Sequence, residues 1–158
     1  KRSGCICRFT PDGRGQVIAS SLGYANGLAL SADETRLFMV ESDSDSIFRF
    51  ELGPGGSIGV AMLFASQVGR MPDGLALDAA GNLYASCYAS DDIHRISPDG
   101  KVELFAWDRW AIKLSRPTNL AFGVSADDRE YLYAANLGRT TITRARVGIS
   151  GQPLANQI

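Results

Sequence analysis

The stretch "PDGLALDAAGNLYASCYASDDIHRISPDGK", residues 72–101, decides the fold. It breaks into short β-prone runs, "GLALD", "NLYASCYA" and "DIHRIS", separated by turn-rich gaps and followed by "KVELFA". The same series precedes it as "GLALS", "RLFMVES", "SIFRFEL" and "AMLFAS". It follows again as "NLAFG", "EYLYAANL", "TITRARVG" and, more weakly, "QPLAN". Aligning the copies puts Asn26 of "ANGLAL", Asp73 of "PDGLAL" and Asn119 of "TNLAFG" at one repeat position, 47 and 46 residues apart. A period of roughly 40–50 residues with four strands per unit predicts β-propeller blades.

The predicted class is therefore all-β, in one partial propeller domain over 1–158. Successive blades occupy 23–69, 70–115 and 116–158. Residues 1–22 carry only "CICRF" and "QVIAS", the outer strands of an incomplete blade. About three and a half blades fall short of the roughly 4–8 that close a ring. Unpaired edges invite association, so the expectation is a truncated chain or one that self-associates through its open edges.

Sixteen basic and seventeen acidic residues leave a net charge of −1, which argues against nucleic acid and anionic membranes as partners. No apolar run is long enough to span a bilayer, and "KRSGCICRFT" lacks a signal-peptide core. Three cysteines cannot form a complete disulfide framework. Cys5 and Cys7 share a strand face and read as small buried hydrophobes. This usage favours reducing surroundings such as the cytoplasm, and the compartment is otherwise open.

Pro-Asp-Gly occurs three times, at 11–13, 72–74 and 98–100. By blade topology the first and last join the third and fourth strands, where they act as hairpin turns. The middle copy leads into an innermost strand beside the central axis. Asn26, Asp73 and Asn119 would there aim carboxylate and amide oxygens at one point in the channel mouth, a donor set for a hard cation such as Ca²⁺ or Mg²⁺. The competing reading is that Asn-Gly and Asp-Gly are backbone turn devices only.

These residues also carry a family resemblance. "ANGLALSADETRLFMVES", the stretch from 72 to 101 and "RPTNLAFGVSADDREYLYAANLGRTTITRARVG" resemble, in order and spacing, the C-terminal half of the gluconolactonase/regucalcin (senescence marker protein) family. The resemblance implies a six-bladed propeller with one divalent cation in the channel, Ca²⁺ first and Zn²⁺, Mn²⁺ or Mg²⁺ as alternatives. It implies Asn26 and Asp73 as metal ligands and Asp73 as the proton-transfer residue in hydrolysis of a sugar-type lactone. The family's first-blade Glu ligand, and the Arg and Asn that hold substrate, would lie before residue 1. Asn119 as a channel contact rests on the repeat alone.

The loops joining second to third strands add Glu41, Tyr88, Asn136 and Arg139 as candidate contacts to a sugar-like substrate, with solvated loop residues as the plain alternative. Trp107 and Trp110 read as a lid or as packing over a blade junction. His94 is the only histidine and falls in a strand away from the channel. "GPGGSIG" lacks the ending of a phosphate loop, and no GxSxG elbow is present. Metal-assisted lactone hydrolysis leads. The alternative is a noncatalytic ligand- or calcium-binding propeller, or an inactive fragment lacking the first-blade ligands.

Overall fold

The computed structural model describes residues 2–153. β1 (Gly4–Phe9) and β2 (Gly15–Leu22) form a two-stranded antiparallel sheet. The next blade holds β3 (Ala25–Leu30), β4 (Arg36–Glu41) and β5 (Ser46–Gly53). Its outermost strand is split into β6 (Ser57–Ile58) and β7 (Met62–Ser66), both paired with β5. A four-stranded meander follows, with β8 (Pro72–Leu77), β9 (Leu83–Cys87), β10 (Asp92–Ile96) and β11 (Val102–Trp107). The last sheet contains β12 (Pro117–Phe122), β13 (Tyr131–Asn136) and β14 (Ile142–Arg146).

These sheets form a partial β-propeller, because the apolar interiors lie between consecutive sheets. Ile6 and Leu22 pack with Leu37, Met39 and Phe50. The alternate residues Phe38 and Val40 point the other way, onto Leu75, Leu77, Leu83 and Ala85 of the next sheet. Tyr84 and Ile93 leave that sheet's far face to meet Leu120, Leu132 and Ala134. The Tyr84 ring is edge-on to Phe105 and Phe122, with centroids 5.2 and 5.6 Å away. Phe9 and Ile142, at the two ends of the series, are exposed.

The fourth strand expected at "QPLAN" is not formed by its described residues. Gly151 bridges Asp78, and the Gln152 N–H donates to the Leu77 carbonyl at 2.9 Å. Residues 154–156 of that assignment lie outside the described residues.

Turn chemistry separates the three Pro-Asp-Gly copies. The Gly13 N–H donates to the Thr10 carbonyl and the Gly100 N–H to the Ser97 carbonyl, each at 2.8 Å. Both glycines have positive φ, +84° and +87°, as these hairpin turns require. The middle copy contains no turn, since Pro72, Asp73 and Gly74 are all strand residues of β8.

The β3–β4 turn supplies a pH test. Asp33 accepts from the Ser31 hydroxyl at 2.5 Å, the Thr35 hydroxyl at 2.8 Å and the Thr35 N–H at 3.1 Å. The Ser31 hydroxyl first, then the Thr35 donors, pull its pKa from 3.8 to about 2. Because the folded value is depressed, the contribution is present above 3.8 and is lost as pH falls through about 2. We expect an NMR titration of the Asp33 carboxyl to show a midpoint near 2, and Ser31→Ala to move it back towards the ordinary value.

Candidate axial metal site

Three innermost strands, β3, β8 and β12, meet along a seam of small residues. A Cβ on Gly27 would strike the Asp73 carbonyl oxygen and come within 3.0 Å of Gly74 Cα. A Cβ on Gly74 would stand 2.6 Å from Asn119 Cα and 2.7 Å from the Thr118 carbonyl oxygen. Neither glycine has positive φ. Each is therefore set by close backbone approach.

Strand pairing fixes which residues occupy equivalent places. Ala25 pairs Glu41, Pro72 pairs Cys87 and Pro117 pairs Asn136. The residue after each first partner is Asn26, Asp73 and Thr118. Asn119 thus stands one place further on, at the position of Gly27 and Gly74. This corrects the alignment of Asn119 with Asn26 and Asp73, and it agrees with the runs "GLALS", "GLALD" and "NLAFG", because the same register shift opens all three strands, between Ala25/Leu28, Pro72/Leu75 and Pro117/Asn119. Asn119 still reaches the seam, its Oδ1 lying 2.8 Å from a Cβ placed on Gly74 and accepting from the Leu120 N–H.

Asp73 is half-buried. Burial raises its carboxyl pKa above the ordinary value, while the neighbouring Asn26 amide acts in the lowering direction. The Asn26 Nδ2 donates to Ser42 Oγ at 3.3 Å, and that hydroxyl donates to the Pro72 carbonyl at 2.6 Å. The amide oxygen is the atom left for a ligand. On the other side, the buried Ser86 Oγ accepts from the Gly74 N–H at 3.0 Å. The donor set fits a hard divalent cation, which would offset the cost of holding a carboxylate in this partly desolvated place.

The loop candidates each have partners of their own. Glu41 is 1% exposed, and its Oε2 accepts from the Gly23 N–H and from Arg2 Nη2, both at 2.6 Å. Its Oε1 accepts from Ser44 Oγ at 3.1 Å. Asn136 occupies the equivalent place, accepting from the Ser115 N–H at 2.9 Å and donating to Thr143 Oγ1 at 2.9 Å. Both side chains hold the segment that leads into an innermost strand. Tyr88 is half-buried, with the Arg116 guanidinium 5.5 Å from its ring centroid and 3.3 Å from its hydroxyl. Arg139 is exposed, and its Nε donates to the Ala111 carbonyl at 3.1 Å. Trp107 and Trp110 are both exposed, and Trp107 lines a cavity between the last two sheets together with Ile93, Thr143 and Ala145.

Sequence reasoning missed Thr118, Ser42 and Ser86. The two serines carried one signal, a small hydroxyl at or beside a strand that is otherwise apolar.

Glycine-seamed sheets set around a carboxylate and an amide define a partial β-propeller with oxygen-bearing side chains where its innermost strands meet. The SMP-30/gluconolactonase/LRE-like region matches residues 1–136, and the chain belongs to that family. It is 31% identical over 161 residues to 6-deoxy-6-sulfogluconolactonase of Pseudomonas putida, covering 99% of this chain and 50% of that protein. It is 37% identical over 106 residues to gluconolactonase of Zymomonas mobilis, covering 61% of this chain and 29% of that protein. A solved luciferin-regenerating enzyme superposes with a TM-score of 0.78 at 20% identity, covering 96% of this chain and 54% of the other, a likeness of fold. The chain spans half or less of the length of these two curated relatives.

Proposed function

We propose that these residues belong to a hydrolase of sugar-type lactones that uses one divalent cation, Ca²⁺ first, at the axis. The observation that carries this reading is the half-buried Asp73 carboxyl beside the Asn26 amide, at the meeting of the innermost strands. Asp73 and Asn26 would hold the cation through oxygen, with Asn119 and Thr118 next to them. Further oxygen ligands would complete the coordination. A bound divalent cation supplies polarisation of the lactone carbonyl and stabilisation of the oxyanion.

Asp73 supplies the proton transfer. One carboxylate oxygen takes a proton from water as the water oxygen bonds to the carbonyl carbon. The proton then passes to the ring oxygen as the acyl–oxygen bond breaks, leaving a hydroxy acid. Burial favours this role by making the carboxylate more basic. Asn26 has no titratable proton and serves to position. Tyr88 and Arg116, stacked together, offer an aromatic face and donors for sugar hydroxyls.

Calorimetric titration of Ca²⁺, Mn²⁺ and Zn²⁺ into this chain and its Asp73→Asn variant, with molecular mass measured alongside, tests the assignment. Saturable binding of Ca²⁺ that disappears in the variant is the expected result. Ca²⁺ binding unchanged by the substitution would remove Asp73 from the site, and absence of binding by either would overturn a cation site built on this half of the ring.

A further inference from the structure

Away from the axis, on the face of the β8–β11 sheet that meets the preceding blade, three donors of different chemistry converge. Cys87 Sγ, an Asp92 carboxylate oxygen and a His94 ring nitrogen all lie within 4.8 Å of one another. Cys87 ends β9, Asp92 is paired directly across from it at the start of β10, and His94 lies two residues further along the same face. Cys87 is 0% exposed, and the side chains of Asp92 and His94 are 11% and 14% exposed.

We propose that Cys87, Asp92 and His94 form a second metal site, distinct from the axial one, that takes Zn²⁺ and ties β9 to β10 within the blade at 70–115. Thiolate, imidazole and carboxylate together are a zinc donor set, whereas the axial pair offers oxygen only. One thiolate and one carboxylate balance the charge of Zn²⁺, so the loaded site is neutral, as a buried site should be. The Cys87 proton leaves to solvent as the metal–sulfur bond forms, and His94 binds as the neutral imidazole.

One polar atom of the cluster lacks a partner among the described residues. His94 Nε2 is 3.4 Å from Asp92 Oδ1, and its Nδ1 is buried with no hydrogen-bond partner among the described residues. An under-satisfied buried group of this kind calls for an ion or a water. Gly69 makes the room, because a Cβ there would strike Cys87 Sγ and come within 3.0 Å of Asp92 Oδ1. The Cys87 thiol donates to the Val68 carbonyl at 3.2 Å, a bond the metal–sulfur bond would replace, and water would take the fourth position. Ser90 Oγ donates to Asp92 Oδ1 at 2.9 Å and orients the carboxylate from outside. Ligands about one tetrahedral Zn²⁺ stand about 3.3–3.7 Å apart, so closure needs a shift of about 1 Å by the more distant donors.

Co²⁺ titration of the chain under reducing conditions is the test, because a cobalt–thiolate charge-transfer band reports sulfur ligation and nothing at the axis can produce it. We expect a saturable band at one equivalent that Zn²⁺ abolishes. Asp73→Asn should leave it intact, as should the double variant Cys5→Ser/Cys7→Ser. Cys87→Ser should eliminate the band, and His94→Gln should weaken Co²⁺ binding at least ~10-fold. The His94 variant keeps the test open if Cys87→Ser fails to fold. No band in the unaltered chain, a band that survives Cys87→Ser, full-strength binding by His94→Gln, or loss with the Cys5/Cys7 pair would each overturn the site.

Discussion

Asp73→Asn is expected to lower lactone hydrolysis by about 10²–10⁴-fold, the usual size of a lost general acid–base contribution. The exchange keeps the shape of the side chain and one oxygen that can face a cation. It removes the charge and the only titratable group at the seam. Loss of the proton acceptor acts on kcat, and weaker cation binding adds a loss that excess cation reverses. Assaying the protein in its native extent at saturating Ca²⁺ separates the two. A residual deficit at saturation belongs to proton transfer, and full recovery would reduce Asp73 to a ligand. Without cation the variant should melt slightly higher at neutral pH, because burial raises the Asp73 pKa and so penalises the ionised form in the fold. That gain should fade as pH falls below the ordinary value of 3.8, where both folded and unfolded chains are protonated.

Gly74→Ala is expected to destabilise the fold by about 1–3 kcal/mol, the cost of overpacking a closely fitted interior. Its Cβ would meet the backbone of β12 at Asn119 Cα and the Thr118 carbonyl, and a strand cannot swing aside as a side-chain tip can. The same insertion would push β8 from β12 and move Asp73 relative to Asn26, so Ca²⁺ affinity should fall with stability. Gly55→Ala is the comparison. Gly55 has φ +69°, and a Cβ there would meet no atom within 4 Å. Alanine at that position therefore carries only a left-handed backbone cost of about 1–2 kcal/mol and should leave Ca²⁺ binding alone. Thermal melts and calorimetry on both variants decide the matter. Equal Ca²⁺ affinity in Gly74→Ala and the unaltered chain would mean that the seam does not position the site.

The propeller was legible because its signals are local. Alternating apolar runs, Pro-Asp-Gly hairpins and a repeated spacing survive in the letters, and each blade is written almost contiguously. Motif and resemblance together singled out Asp73 and Asn26, and the structure makes the two side chains neighbours across the β3–β8 seam. The bulge was not legible, since an extra residue on one strand leaves no trace in composition, and Asn119 was placed one position early because its side chain matches Asn26 and Asp73 while its place before Leu120 matches Gly27 and Gly74. Side-chain direction was hidden as well. Glu41, Cys87 and Asn136 look unrelated as letters, yet strand pairing puts them at one position, where each lies against the segment entering an innermost strand. His94 read as an ordinary strand residue because its partner Cys87 stands on another strand, and only register brings the two together.

Asn26 and Asp73 sit on the two sheets that have neighbours on both faces, while the sheets at either end of the described series, each covered on one face, supply no charged residue to the axis. Neither blade owns its interior. Each borrows half of it from the blade before and half from the blade after. The oxygens at the axis therefore inherit their stiffness from residues far outside the site, so a distant change such as one at Phe50 or Leu132 can loosen the site without touching it.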